Sequence, residues 1–78
     1  MELTYTPDEI AQHYYACLDS VWVIETSIPK LNSNLDAREQ IEVNVHHLEI
    51  MKRKTFWTTE DMSPLDDAIA AGKAALVG

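Results

Sequence analysis

Seventy-eight residues carry thirteen Asp and Glu against six Lys and Arg, a formal net charge of −7; 46% of positions are apolar, with only two glycines and three prolines. That size allows one domain, near the lower limit for a chain that folds alone. The composition excludes collagen-like, low-complexity and largely disordered chains, and the acidity argues against a basic nucleic-acid binder.

The longest run of large apolar residues, Val21-Trp22-Val23-Ile24, falls far short of the roughly 20 residues of a bilayer span, so no membrane partner is expected. Met1-Glu2-Leu3 lacks the basic start and apolar core of a signal peptide. Cys17 is the single cysteine, so no intrachain disulfide can form. The expected setting is a reducing, cytoplasmic one, with a virion as the alternative.

Thr6-Pro7-Asp8-Glu9 opens the first helix. Thr6 can accept from the Glu9 amide, Glu9 can reach back to the Thr6 amide, and Pro7 sits where no donor is missed. Tyr5 and Ile10 stand at the positions of a hydrophobic staple. Pro29 disfavours helix at Ile28 and closes the element, predicting a helix over about residues 7–27. Inside it Ile10, Tyr14, Cys17, Val21, Ile24 and Ile28 recur at alternating steps of four and three, the rhythm of a helix lying along another helix. Leu18, Trp22, Ala11 and Tyr15 widen the stripe, which predicts two neighbours, with Trp22 in the core.

A short polar turn leads to a second helix over about residues 35–55, opened by Ser33-Asn34-Leu35-Asp36 or by Asp36-Ala37-Arg38-Glu39. Ala37, Ile41, Val45, Leu48 and Thr55 share one face. Val43, Ile50 and Trp57 project from the opposite side at seven-residue spacing, if the helix reaches that far. Ser63-Pro64-Leu65-Asp66 repeats the cap-plus-proline pattern and starts a third helix over about residues 64–76. Leu65, Ile69, Gly72 and Leu76 form its apolar side, and its small residues suit close helix approach.

The fold class read from these elements is all-α. An antiparallel hairpin of two helices of about 20 residues, plus a short C-terminal helix, forms one domain over residues 1–78 and self-associates into a bundle.

Four constellations bear on chemistry. Glu42, His46 and Glu49 have the i, i+4, i+7 spacing of metal ligands on a helix, but they lie off the apolar seam; a solvated face with Glu49–Arg53 and Glu42–His46 pairs explains them better. His46-His47 at a symmetric interface offers too few ligands for a metal clip, and a hydrogen-bonding interface histidine is the simpler reading of His47. His13 and Cys17 are one turn apart, yet Cys17 occupies the seam, where burial raises a thiol pKa and removes its reactivity. Lys52-Arg53-Lys54 complements the dipole at the end of the second helix. No catalytic residue, metal or other cofactor is expected.

The expected function is a small acidic non-catalytic protein that acts by helix-mediated protein–protein contact, with itself or with another protein as partner. Val43, Ile50, Phe56, Trp57 and His47 are the expected contact residues. Size and compactness are compatible with a bacteriophage virion or accessory component. The alternative is an anionic inhibitor whose Glu39, Glu42, Glu49, Asp66 and Asp67 mimic nucleic-acid phosphates in a basic cleft. A metal-binding bundle enzyme is the third class.

Overall fold

The computed structural model describes residues 5–77 and contains three α-helices: α1 (Pro7–Ser27), α2 (Asp36–Lys52) and α3 (Ser63–Val77). A single 3-10 turn, Ile28–Lys30, follows α1. The expected helical hairpin with a short third helix is thus present, and among the described residues there is no strand. The molecule is elongated. Its radius of gyration is 13.7 Å, against about 11.5 Å for a typical compact domain of this length.

The capping box of α1 is complete: the Thr6 amide donates to Glu9 Oε1 at 3.0 Å, and the Glu9 amide donates to Thr6 Oγ1 at 3.2 Å. At the other end Pro29 tightens the chain rather than stopping it. Ile28 keeps right-handed helical angles, its amide donates to Ile24 O, and a 3-10 turn carries the chain to Lys30. In α2 the Asn34 side chain accepts from the Asp36 amide at 2.9 Å, satisfying one of the otherwise unpaired first-turn donors. Before α3, Asp61 Oδ1 accepts from the Ser63 amide at 2.9 Å.

The core is the seam of α1 laid against α2, with α3 across both. Cys17, Val21, Ile24, Ile41, Val45, Leu48, Leu65 and Ala68 form one buried cluster. Ile24, Ile41, Leu48 and Leu65 are its large, fully enclosed side chains. Gly72 is the point of closest approach. A Cβ there would lie 2.6 Å from Val45 Cγ2 and 3.2 Å from Ile41 Cγ2. Val45 is β-branched and has one strongly preferred helical rotamer, so it cannot swing aside. For Gly72→Ala, the helix-propensity gain of about 1 kcal/mol opposes an overpacking cost of about 1–3 kcal/mol. The expected result is a net loss of about 1 kcal/mol, read from the urea midpoint; a gain in stability would show a looser crossing.

Two expectations need correction. The second helix ends at Lys52, not near Thr55, because the chain turns at Arg53 and the Lys54 amide donates back to Met51 O. Trp22 is not in the core: it is 65% exposed, and Tyr15 is 64% exposed. The covered stripe of α1 is narrower than Leu18, Trp22, Ala11 and Tyr15 suggest, because α3 meets the seam with Ala68 and Gly72. Small residues let it nest deeply without spreading over the Tyr15 and Trp22 flank.

Candidate functional site

On α2, the inner face (Ala37, Ile41, Val45 and Leu48) is buried in the core. Val43 and Ile50 stand two turns apart on the other side, 59% and 39% exposed. α3 therefore leaves that stripe open. It runs along a helix that is acidic in its first turn, at Asp36 and Glu39, and basic in its last, at Lys52.

The remaining three expected contact residues are placed differently. His47 is half-buried between the hairpin helices, its Nδ1 2.7 Å from the hydroxyl of Ser20 on α1. That bond is internal to the chain and fixes the ring against its own neighbour. Phe56 and Trp57 leave α2 altogether and fold back over the end of the hairpin. Phe56 packs on Tyr5 and Trp57, each with ring centroids 4.7 Å apart, and stacks on His13 at 5.2 Å. Trp57 meets Tyr14 edge-on at 6.1 Å, and its indole N–H donates to Met51 O at 2.8 Å. Met51 O already accepts from the Lys54 amide, so the indole adds a second bond to a carbonyl in the last turn of α2. Trp57 is thus an internal cap, and the outer stripe of α2 consists of Val43 and Ile50 only.

Tyr5 contacts His13 as well as Phe56, with ring centroids 5.6 Å apart in an edge-on arrangement. Tyr14 ties the same end together by donating from its hydroxyl to Asp61 O at 2.6 Å; burial, then the Asp61 charge, push its phenol pKa up. Cys17 is fully enclosed, and burial raises its thiol pKa. A raised pKa leaves little thiolate, so this sulfur packs as a small apolar group.

The charged side chains pair differently from the expectation. Glu42 meets Arg38 at 3.5 Å and Glu49 meets Lys73 of α3 at 2.7 Å, while Lys52 pairs with Asp66. The Glu42, His46 and Glu49 trio is thereby split between two cations. Among the described residues no group of three or more His, Cys, Asp or Glu side chains is arranged to hold a metal ion. Three of the five carboxylates considered as phosphate mimics are held by the chain's own cations. A shallow groove between α2 and α3 is lined by Glu49, Lys52, Arg53, Ile69 and Lys73.

Hydrogen bonds to the charged form lower four carboxyl pKa values. The Thr6 amide and hydroxyl act on Glu9, the Lys73 ammonium on Glu49, the Thr58 amide on Glu60 and the Ser63 amide on Asp61. The ordinary values are 4.5 for the glutamates and 3.8 for the aspartate. A depressed folded-state pKa stabilises fully above the ordinary value, and that stabilisation is lost as pH falls through the folded one. Melting temperature is therefore expected to fall as pH drops below 4.5. Glu9→Gln, which keeps the capping acceptor without its titration, should flatten that fall; an unchanged slope would remove Glu9 from the account.

Sequence reasoning missed Tyr15 and Trp22 as exposed residues. Their shared seven-residue spacing was a usable signal, but their position beside Leu18 and Ala11 made them resemble core. No helix among the described residues is long and apolar enough to cross a membrane. Comparison with known protein families, with curated proteins and with solved structures finds no match.

Proposed function

We propose that this chain is a non-catalytic helical module that acts by protein–protein contact, and that a second copy of itself docks antiparallel on the outer face of α2. The reading is carried by one observation: Val43 and Ile50 are exposed on the outer face of a helix whose inner face is already filled. Charge supports the choice of occupant. With a two-fold axis between His46 and His47, Val43 lies opposite Ile50 of the second copy. Each acidic helix start, at Asp36 and Glu39, then meets a basic helix end, at Lys52 and the Arg53 and Lys54 that directly follow it. A parallel pairing would set like charges together.

A reducing compartment suits a protein whose single thiol is buried and unpaired. A phage virion or accessory assembly is one setting in which a small self-associating hairpin is useful.

A charge swap tests the register. Glu39→Lys and Lys54→Glu are each expected to weaken self-association by a few-fold, at about 0.5–1 kcal/mol per exposed pair, and the double variant to recover it. Sedimentation equilibrium gives the three constants. A double variant no tighter than either single one would contradict the antiparallel pairing.

A further inference from the structure

A second unpartnered face lies on α1, separate from the α2 stripe. Tyr15 and Trp22 are about two-thirds exposed and stand two turns apart, so they form one aromatic stripe. Asp19 lies four residues after Tyr15 and three before Trp22, Glu25 three after Trp22, and Asp8 seven before Tyr15. The offsets of Asp19 and Glu25 put their carboxylates beside the rings, and Asp8 continues the same face two turns toward the helix start. From Pro7 to Ser27 the helix has no Lys or Arg. Among the described residues no cation pairs with Asp8, Asp19 or Glu25, whereas Glu42, Glu49 and Asp66 on the other helices are paired. These three carboxylates are thus free to meet an outside cation.

We propose that this aromatic, acid-rimmed stripe docks a basic segment of another protein, whose Lys or Arg side chains lie over the Tyr15 and Trp22 rings and pair with Asp19 and Glu25. Cations bind the faces of Trp and Tyr, and Arg is suited both to stacking and to bidentate carboxylate pairing. A second copy is a poor occupant, because stripe against stripe sets carboxylates against carboxylates. An anionic lipid surface is repelled for the same reason. Exposed aromatic residues of this kind are typical binding anchors, and the rim charges mainly set partner choice and association rate.

The test uses the full chain, labelled with nitrogen-15, titrated with a synthetic amphipathic peptide of Lys, Arg and Leu. An equally apolar peptide with Glu in place of the cations and vesicles of phosphatidylcholine with phosphatidylglycerol are the comparisons. The two tryptophans give two indole N–H signals. The Lys/Arg peptide is expected to shift the Trp22 signal and leave that of Trp57, while the Glu peptide and vesicles shift neither. Trp22→Ala and Asp19→Lys are each expected to weaken binding by about tenfold or more. Asp67→Lys makes the same charge change on α3 and should stay within about twofold. Both Trp22 and Asp19 are exposed, so retained helicity in either variant keeps the comparison valid. Equal weakening by Asp67→Lys and Asp19→Lys would show attraction by net charge alone and overturn the proposal. So would a Trp22 shift with vesicles, or no binding of the Lys/Arg peptide.

Discussion

Leu65→Ala is expected to cost about 3 kcal/mol and to release α3 from the hairpin. Three residues of α3 are buried, Leu65, Ala68 and Gly72, and Leu65 is the only large one, with no exposed surface. Its loss leaves a cavity between α3 and the α1–α2 seam that Ala68 and Gly72 are too small to fill. A domain of this size has a total stability of about 4–12 kcal/mol, so the loss is a large share of it. Urea denaturation followed by circular dichroism should show a lower midpoint. Amide exchange should show α3 opening before α1 and α2, because the two ion pairs from α2 to α3, Lys52–Asp66 and Lys73–Glu49, are exposed and weak. A variant whose midpoint moves by less than a tenth of that expectation would mean α3 is held by something other than Leu65.

Ile50→Glu is expected to abolish self-association while leaving the fold intact. Ile50 is 39% exposed and belongs to none of the buried positions of α2, so the monomer tolerates a polar replacement. At a two-fold interface the same change occurs twice, and each carboxylate loses apolar contact and must be desolvated. About 2 kcal/mol per site gives about 4 kcal/mol in all, close to a thousandfold in Kd. Salt should change the wild-type constant only a few-fold, since the rim pairs contribute little. Light scattering coupled to size exclusion reads both effects. Retained association with unchanged affinity would place the contact elsewhere on the molecule.

Much of the fold was legible because several local signals agreed. The capping box at Thr6 and Glu9, the alternating steps from Ile10 to Ile28 and the Ser63-Pro64 start each specify an element by short-range chemistry. The small residues of α3 were legible as suited to close helix approach, and the structure adds that Gly72 is the one that meets Val45, Ile41 and Ile24. The C-terminus of α2 was not legible. The seven-residue spacing of Val43, Ile50 and Trp57 continued past the true end, and no glycine or proline stands there to stop it. The stop is tertiary: Phe56 and Trp57 gain more by covering Tyr5, His13 and Tyr14 than by extending a solvated helix. The placement of the candidate contact residues was legible in part. Val43 and Ile50 project outward as expected, while His47 and Trp57 spend their polar groups on Ser20 and Met51 inside the chain. Trp22 and Tyr15 were hidden by their own size, since large aromatic residues beside a seam resemble core until the width of the covering helix is known.

Self-association through α2 is tested most directly by sedimentation velocity of the unmodified chain across a dilution of about a hundredfold. The chain mass is 8.8 kDa. The predicted result is a species of twice that mass at the concentrated end that dissociates to a helical 8.8 kDa monomer on dilution. A folded 8.8 kDa particle at every concentration, with Val43 and Ile50 open to solvent throughout, would contradict it.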